Sequence, residues 1–260
     1  MNKTVFLFAT HKLTDFVLEQ YYRLKLATKN IGVLYLLIED GELQQIPVDV
    51  KYYSFSVDTL NELNYEPIEE SIIPGSNHFP VLQFYKEHPE FLYYWNIEYD
   101  VYFNGKWESF FDPFEMIISD FISSHIEWYT QRPKWDWWKS VQFKTLSIPQ
   151  NRYLKSFNPI YRISNRALKA LDGVLSLRNS GHHEVVIPTV LDYLGYTIND
   201  FGGNSEFTLC ELNIPCYLSN SELNNWYTES TMRYRPVFNK EAITRKGIDN
   251  MLYQISDKAC

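Results

Sequence analysis

The sequence predicts an α/β fold in which helices flank one mostly parallel central sheet. Three apolar runs, at residues 5–10, 33–38 and 91–97, are rich in β-branched and aromatic residues, as expected for strands covered on both faces. Segments with apolar residues at helical spacing lie between them. This alternation of strand and helix predicts a doubly wound sheet in which the three runs are neighbours.

The remaining elements of the first half follow from the same patterns. Helical spacing predicts helices at residues 13–27 and 79–86, and β-rich runs predict strands at 52–57 and within 116–126. Asp58 is expected to cap a short helix after the strand at 52–57. Two prolines, a glycine and two asparagines predict a loop over residues 64–78.

In the second half the pattern first breaks down and then becomes helical. The aromatic and charged stretch 128–150 has no clear period, whereas helical spacing returns at residues 161–178, at 183–194 and from about 240. Ser164 or Asn165 is expected to cap the first of these helices and Gly181 to end it, and Pro188 limits the start of the second. Because the sequence has no linker or internal repeat, residues 1–260 are expected to form one domain.

Composition excludes some classes of function. The formal net charge of −8 argues against non-specific nucleic-acid binding, which needs a basic face. Three cysteines without a CxxC pair indicate a reducing compartment. The apolar run 5–9 is too short for a signal peptide or a membrane span. We therefore expect a cytoplasmic protein without a transmembrane segment, and peripheral contact with the inner face of the membrane stays open.

Two carboxylates follow the most apolar strand. In an extended chain Glu98 and Asp100 would point to the same side, at the carboxyl end where open α/β sheets bind ligands. Such a pair needs a compensating group: a divalent metal carrying a diphosphate, or the hydroxyls of a ribose. Ordinary solvent-exposed acids explain the pattern equally well.

Three other groups of residues have a possible chemical role. Glu184 follows two histidines at a predicted helix start, where it would act as a general base, join a metal cluster or cap the helix. Arg233 and Arg235 could clamp phosphate oxygens, although two arginines at this spacing are usually ordinary surface residues. Four tryptophans would stack on sugars, meet a partner or membrane, or pack in the core: Trp128, Trp135, Trp137 and Trp138.

Two segments carry a resemblance to a known family. The first, YYWNIEYDVYFNGKWESFF, resembles the acidic strand-end motif of GT-A glycosyltransferases with a Trp-x-x-Glu-Tyr-Asp-Val pattern; its matching residues are Trp95, Glu98, Tyr99, Asp100, Val101, Gly105 and Trp107. The second, IYRISNRALKAL followed by HHEVVIPTVL, is distantly similar to the core-2/I-branching N-acetylglucosaminyltransferases at Ser164, Glu184 and Thr189. Those branching enzymes lack the acidic triplet that this chain has, so the resemblance leaves metal use open.

The resemblance implies a GT-A-like (Rossmann-type) fold and an enzyme that moves a sugar from a nucleotide-sugar donor to a hydroxyl of a glycan or glycolipid acceptor, as in polysaccharide biosynthesis. It implies a donor-binding half at about 1–127 and an acceptor half at about 128–260. The implied residues are Glu184 as catalytic base of an inverting transfer; Glu98, Asp100, Arg233 and Arg235 for the donor; and Trp135, Trp137 and His183 for the acceptor. Asp100 would hold Mn²⁺ or Mg²⁺ if a metal is used, and metal-independent action is the alternative.

Two other classes of function compete with this hypothesis. One is a catalytically silent module that binds carbohydrate or protein through the aromatic cluster. The other is a glycoside hydrolase that uses two carboxylates, although the sequence shows no hydrolase-barrel pattern.

Overall fold

A seven-stranded sheet forms the centre of the computed structural model, which describes residues 4–203, 205–209, 216–218, 230–234, 236 and 238–256. Its strands are β1 (Thr4–Thr10), β2 (Val33–Glu39), β3 (Tyr52–Phe55), β4 (Tyr93–Glu98), β6 (Phe121–Trp128), β7 (Leu154–Ser164) and β8 (Ile198–Asp200), and a separate antiparallel pair joins β5 (Val101–Phe103) to β9 (Leu252–Gln254). The order across the large sheet is β3-β2-β1-β4-β7-β6-β8. Only β7 is antiparallel to its neighbours among these strands.

Helices cover both faces of this sheet. They are α1 (Asp15–Thr28), α2 (Thr59–Glu62), α3 (Phe79–Glu87), α4 (Trp107–Phe111), α5 (Asn165–Leu175), α6 (His183–Tyr193) and α7 (Lys240–Lys246). One apolar core lies between the sheet and α3, α5 and α6, and a second lies between the opposite face and α1 and α4. Alternate residues of each strand enter opposite cores, as Phe6 and Leu7 of β1 do, because successive side chains of a strand point to opposite faces.

The predicted fold class is confirmed. β2, β1 and β4 are parallel neighbours, with Val5 opposite both Val33 and Tyr94. Within the described residues, no helix is both long enough and apolar enough to cross a bilayer.

The prediction of a helix over residues 161–178 was wrong at its start. Residues 161–164 are the end of β7, and α5 begins only at Asn165, after Ser164, whose Oγ accepts a hydrogen bond from the Ala167 N–H. The chain ahead of Ser164 is extended because β7 lies between β4 and β6 in the sheet and pairs with both. The helix also ends at Leu175, six residues before Gly181.

The structure places Pro188 inside α6 rather than near its start. Proline cannot donate the helical hydrogen bond to the residue four positions earlier, which weakens a helix interior. Apolar burial offsets that loss, since Val185, Val186 and Ile187 are almost completely buried against the sheet.

Candidate active site

Side chains from distant parts of the sequence meet at one edge of the central sheet. β1, β4, β6 and β8 run in the same direction and end at this edge, and the antiparallel β7 begins there. Glu98 is the last residue of β4, and Lys155 is the second residue of β7. Because ligands of open α/β sheets bind outside the carboxyl ends of the strands, this edge is the candidate site.

A cleft of about 380 Å³ opens at the ends of β1, β2 and β4, closed on the far side by the segment before α3. Most of its wall is apolar and includes Leu37, Phe55, Val57, Ile72, Ile73 and Pro80. Its polar lining is rich in hydrogen-bond acceptors: Glu39, Asn77, Asn96 and Glu98. A concave, mostly apolar cleft of this size with a few polar groups suits a small ring-containing ligand.

Glu98 lies in the wall of this cleft. Its Oε1 accepts a hydrogen bond from Asn77 Nδ2 at 3.2 Å. Burial raises the pKa of the Glu98 carboxyl well above its usual value, and the nearby charges of Asp100 and then Glu184 raise it further. Glu98 is therefore near enough to Asp100 and to Glu184 for their charges to affect its ionisation.

Asp100 is oriented differently from the prediction for an extended strand. β4 ends at Glu98, and residues 99 and 100 form a turn, so the alternation of strand side chains no longer applies. Asp100 Oδ2 accepts a hydrogen bond from Gln254 Nε2 at 3.0 Å, and its carbonyl accepts one from the Ile255 N–H. β9 thus holds Asp100 beside the cleft, and Glu98 alone of the pair is in the cleft wall.

Glu184 is the second residue of α6, and its side chain is only 13% exposed. Its Oε1 accepts a hydrogen bond from the Asn158 N–H at 3.4 Å, and its Oε2 lies 3.8 Å from His182 Nδ1. The cap of α6 is the His182 imidazole, which accepts a hydrogen bond from the Glu184 N–H. The Glu184 carboxylate therefore contacts β7 and His182 rather than capping its own helix.

Burial and two neighbouring groups set the pKa of Glu184. Burial raises its pKa to about 7, while the positive charge of Lys155 and the Asn158 N–H limit the rise. A carboxylate with a pKa near the working pH can take up and release a proton readily. These properties suit a general base.

Sequence reasoning missed a buried polar network beside Glu184. Lys155 is 7% exposed, and its Nζ lies 3.1 Å from Glu127 Oε2. Asp200, at the end of β8, accepts hydrogen bonds from the Tyr217 hydroxyl at 2.8 Å and from the backbone of β6, and burial raises its pKa to about 7. His125 adopts φ +52 where the pairing of β6 with β7 shifts register. No local motif marks these residues, because they come from three different strands, β6, β7 and β8.

The two histidines ahead of Glu184 have different surroundings. His182 stacks on Trp137 with ring centroids 4.3 Å apart, and burial lowers its pKa to about 4. His183, expected to contact an acceptor, is 5% exposed and stacks on the buried His78 at 6.2 Å. His182, rather than His183, therefore faces the tryptophans.

Trp135 and Trp137 are half-buried on the wall next to His182. The Trp135 ring packs against Trp138 at 5.0 Å, and the Lys155 Nζ lies 5.4 Å from its centre. Trp138 and Trp128 have other roles, since Trp138 is buried and the Trp128 indole N–H donates to Glu206. The structure thus divides the four tryptophans into two beside Glu184 and two in structural positions.

The arginine pair is only partly described. Arg233 is half-buried, and Thr231 lies two residues before it. The Thr231 carbonyl accepts a hydrogen bond from the Gln254 N–H, and the Gln254 side chain donates to Asp100. Arg235 lies outside the described residues. Across the described part of the chain, no group of three or more His, Cys, Asp or Glu has the arrangement of a metal site.

No protein-family model and no curated protein matches this sequence. Structural similarity extends to a glycosyltransferase involved in the glycosylation of the major capsid of PBCV-1, with 13% identity, 76% of this chain and 82% of that chain covered, and a TM-score of 0.38. A galactosyltransferase in complex with donor and acceptor sugar analogues gives 8% identity, coverage of 75% and 72%, and a TM-score of 0.40.

The inositol-1-phosphate CTP transferase of T. maritima is similar at 12% identity, with coverage of 82% of this chain and 92% of that chain, and a TM-score of 0.41. At these identities and TM-scores, the interpretation of the site depends on its own geometry.

The buried Glu184 gives a test by stability alone. The pKa is raised from 4.5 in the unfolded chain to about 7 in the folded protein, so the folded state holds an extra proton between these values and loses stability as pH rises through them. We expect the melting temperature of Glu184→Gln minus that of wild type to increase between about pH 4.5 and 7. Glu108→Gln, which changes the second residue of α4, is the control for the loss of one glutamate at the start of a helix. A pH-independent difference for Glu184→Gln would contradict the burial of an ionisable carboxyl.

Proposed function

We propose that this chain is a glycosyltransferase that moves a sugar from a nucleotide-sugar donor to a hydroxyl of an acceptor. The observation that carries the proposal is the meeting of two carboxylates at one sheet edge: Glu98, in the wall of a 380 Å³ cleft, and Glu184, from a separate helix. The start of the Glu184 helix is attached to the cleft wall, since the His183 N–H donates a hydrogen bond at 2.9 Å to the carbonyl of Gly75, between the cleft residues Ile73 and Asn77, and the charge of Glu184 raises the Glu98 pKa. A donor held at the first carboxylate would therefore present its sugar toward the second.

The cleft is proposed to hold the nucleoside of the donor. Apolar walls suit a flat base, and the acceptor oxygens of Glu98 and Asn96 suit ribose hydroxyls. The described lining contains no lysine or arginine, so the charged diphosphate would lie outside the cleft, toward the segment that carries Arg233. In this proposal residues 1–127 supply the cleft for the donor nucleoside, and residues 128–260 supply Glu184, the acceptor wall and the two arginines for the diphosphate.

Glu184 would act as the base of an inverting displacement. Its carboxylate accepts the proton of the acceptor hydroxyl while that oxygen forms a bond to the anomeric carbon of the donor sugar. The bond from that carbon to the nucleoside diphosphate breaks on the opposite face, and its electron pair leaves with the diphosphate. Arg233 and Arg235 are proposed to offset the negative charge that develops there.

Metal use is a separate question within this proposal. Asp100 and Glu98 are the carboxylates that would hold Mg²⁺ or Mn²⁺, and the ion would neutralise the diphosphate. The pair fits such an ion only in part, because Asp100 Oδ2 already accepts a hydrogen bond from Gln254. The residue roles above are therefore derived without a metal.

The donor site can be tested by thermal stability. A ligand that binds only the folded protein raises its melting temperature in proportion to the logarithm of its concentration, with about 2.7 kcal/mol of stabilisation at 100 times its Kd. We expect one of the UDP-, GDP- or CMP-sugars to raise the melting temperature, and the free sugar to have no effect at the same concentration. Absence of a shift with every nucleotide sugar would instead favour a silent binding module.

A further inference from the structure

The segment that connects β6 to β7 has a charge opposite to that of the whole protein. Residues 128–155, named here the basic aromatic segment, contain six lysines and arginines and one acid, Asp136, so their formal charge is +5 in a chain of −8. The same segment contains seven of the aromatic residues. A local excess of positive charge on an acidic protein attracts an anionic partner.

This segment is firmly attached to the start of α6. Ser140 Oγ accepts a hydrogen bond from the His182 N–H at 2.9 Å, and Gln142 pairs with Ser180 through backbone hydrogen bonds. Inside the segment, the Trp138 indole N–H donates to the Arg132 carbonyl at 2.7 Å. These hydrogen bonds fix the basic aromatic segment in place as a wall next to Glu184.

The tryptophans of this wall lie one side chain away from the proposed base. Trp137 stacks on His182, and His182 Nδ1 lies 3.8 Å from Glu184 Oε2. Trp135 is perpendicular to the same histidine at 6.3 Å. Half-buried indole rings at this position suit the apolar face of a sugar ring.

The cations of the segment fall into two groups. Four have acidic neighbours: Arg132 and Lys155 contact Glu127, Arg152 contacts Asp192, and Lys144 contacts Glu66. Lys134 and Lys139 are exposed and, in the described part of the chain, meet no carboxylate. These two flank Trp135 and Trp137 in the sequence, so the available positive charge lies beside the rings.

We infer that the basic aromatic segment binds an acidic saccharide, with Trp135 and Trp137 against the sugar ring and Lys134 and Lys139 on its negative charge. The description of this saccharide as the acceptor rests on the proposed function. A membrane surface fits less well, because Trp135 and Trp137 are half-buried. The exposed residues around them are polar or proline: Gln131, Pro133, Lys134, Asp136 and Lys139.

The test is a titration of intrinsic tryptophan fluorescence with two hexasaccharides. One contains alternating uronic acid residues, and the other is a neutral oligomer of N-acetylglucosamine. We expect the acidic oligomer to bind about three- to tenfold more tightly at low salt. The double variant Lys134→Gln/Lys139→Gln should lose that preference, and Lys29→Gln/Lys169→Gln, which removes two exposed lysines elsewhere, should keep it.

Equal affinity for both oligomers, or a preference that survives in Lys134→Gln/Lys139→Gln, would overturn the inference. Lysine-dependent binding to phosphatidylglycerol vesicles without binding of the acidic oligomer would overturn it in favour of a membrane surface. The titration needs no donor and no turnover. Loss of the proposed transferase function would therefore leave acidic-oligomer binding intact, and the two failures are distinguishable.

Discussion

Replacement of Glu184 by glutamine is expected to lower sugar transfer by about 10²- to 10⁴-fold while donor affinity stays unchanged. Glutamine keeps the size of the side chain and can still contact His182 and β7, but it cannot take a proton from the acceptor hydroxyl. The measurement is turnover with saturating donor, together with donor affinity from thermal shifts.

Glu108→Gln is the matched control. Glu108 is also the second residue of a helix, so this variant removes the same favourable interaction with the helix dipole at a different place. It should transfer sugar at the wild-type rate. If Glu184→Gln also turns over near the wild-type rate, Glu184 is not the base, and His182 becomes the next candidate because it lies between Glu184 and Trp137.

Replacement of Asp100 by asparagine is expected to weaken donor binding by about 10- to 100-fold with the fold intact. The side chain is not part of either large apolar core, and asparagine can still accept the hydrogen bond from Gln254. The variant loses the negative charge beside the cleft. That charge would accept a hydrogen bond from a donor hydroxyl or coordinate the metal that carries the diphosphate. Donor affinity and turnover should fall together.

The control for this change is Asp112→Asn, which removes an exposed carboxylate next to α4. A chelator then separates two roles of Asp100. Wild-type activity that survives the chelator favours contact with the ribose, and activity that is lost and then restored by Mn²⁺ or Mg²⁺ favours a metal. Donor affinity and turnover unchanged in Asp100→Asn would remove this residue from the site.

Local sequence patterns predicted the strands buried on both faces but not the reversed strand. β1, β2 and β4 are continuous apolar runs, and their burial follows directly from that composition. β7 contains Pro159, which argues against a strand inside a sheet. Here the proline costs no ladder hydrogen bond, because pairing with β4 stops at Ile160 and pairing with β6 shifts register beside it.

The candidate site was predictable only where its residues belong to a local motif. Glu98, Asp100 and Glu184 follow strand and helix boundaries, so their positions could be inferred from the sequence. Glu98 and Glu184 come near each other where the His183 N–H donates a hydrogen bond to the Gly75 carbonyl, and periodicity does not encode such pairing of distant segments. Lys155 lies on β7 and Asp200 at the end of β8, and no spacing rule indicates that the sheet brings these two strand ends together.

The reversed direction of β7 also determines how tolerant this edge is to mutation. The strand continues past the end of β4, and there the Asn158 N–H bonds to the Glu184 carboxylate instead of to a neighbouring strand. A backbone donor is retained whatever side chain evolves at that position, with proline as the single exception. The hydrogen bond from the backbone of residue 158 to Glu184 thus depends on the path of the chain and not on side chains, so the surrounding side chains can change while this contact is kept.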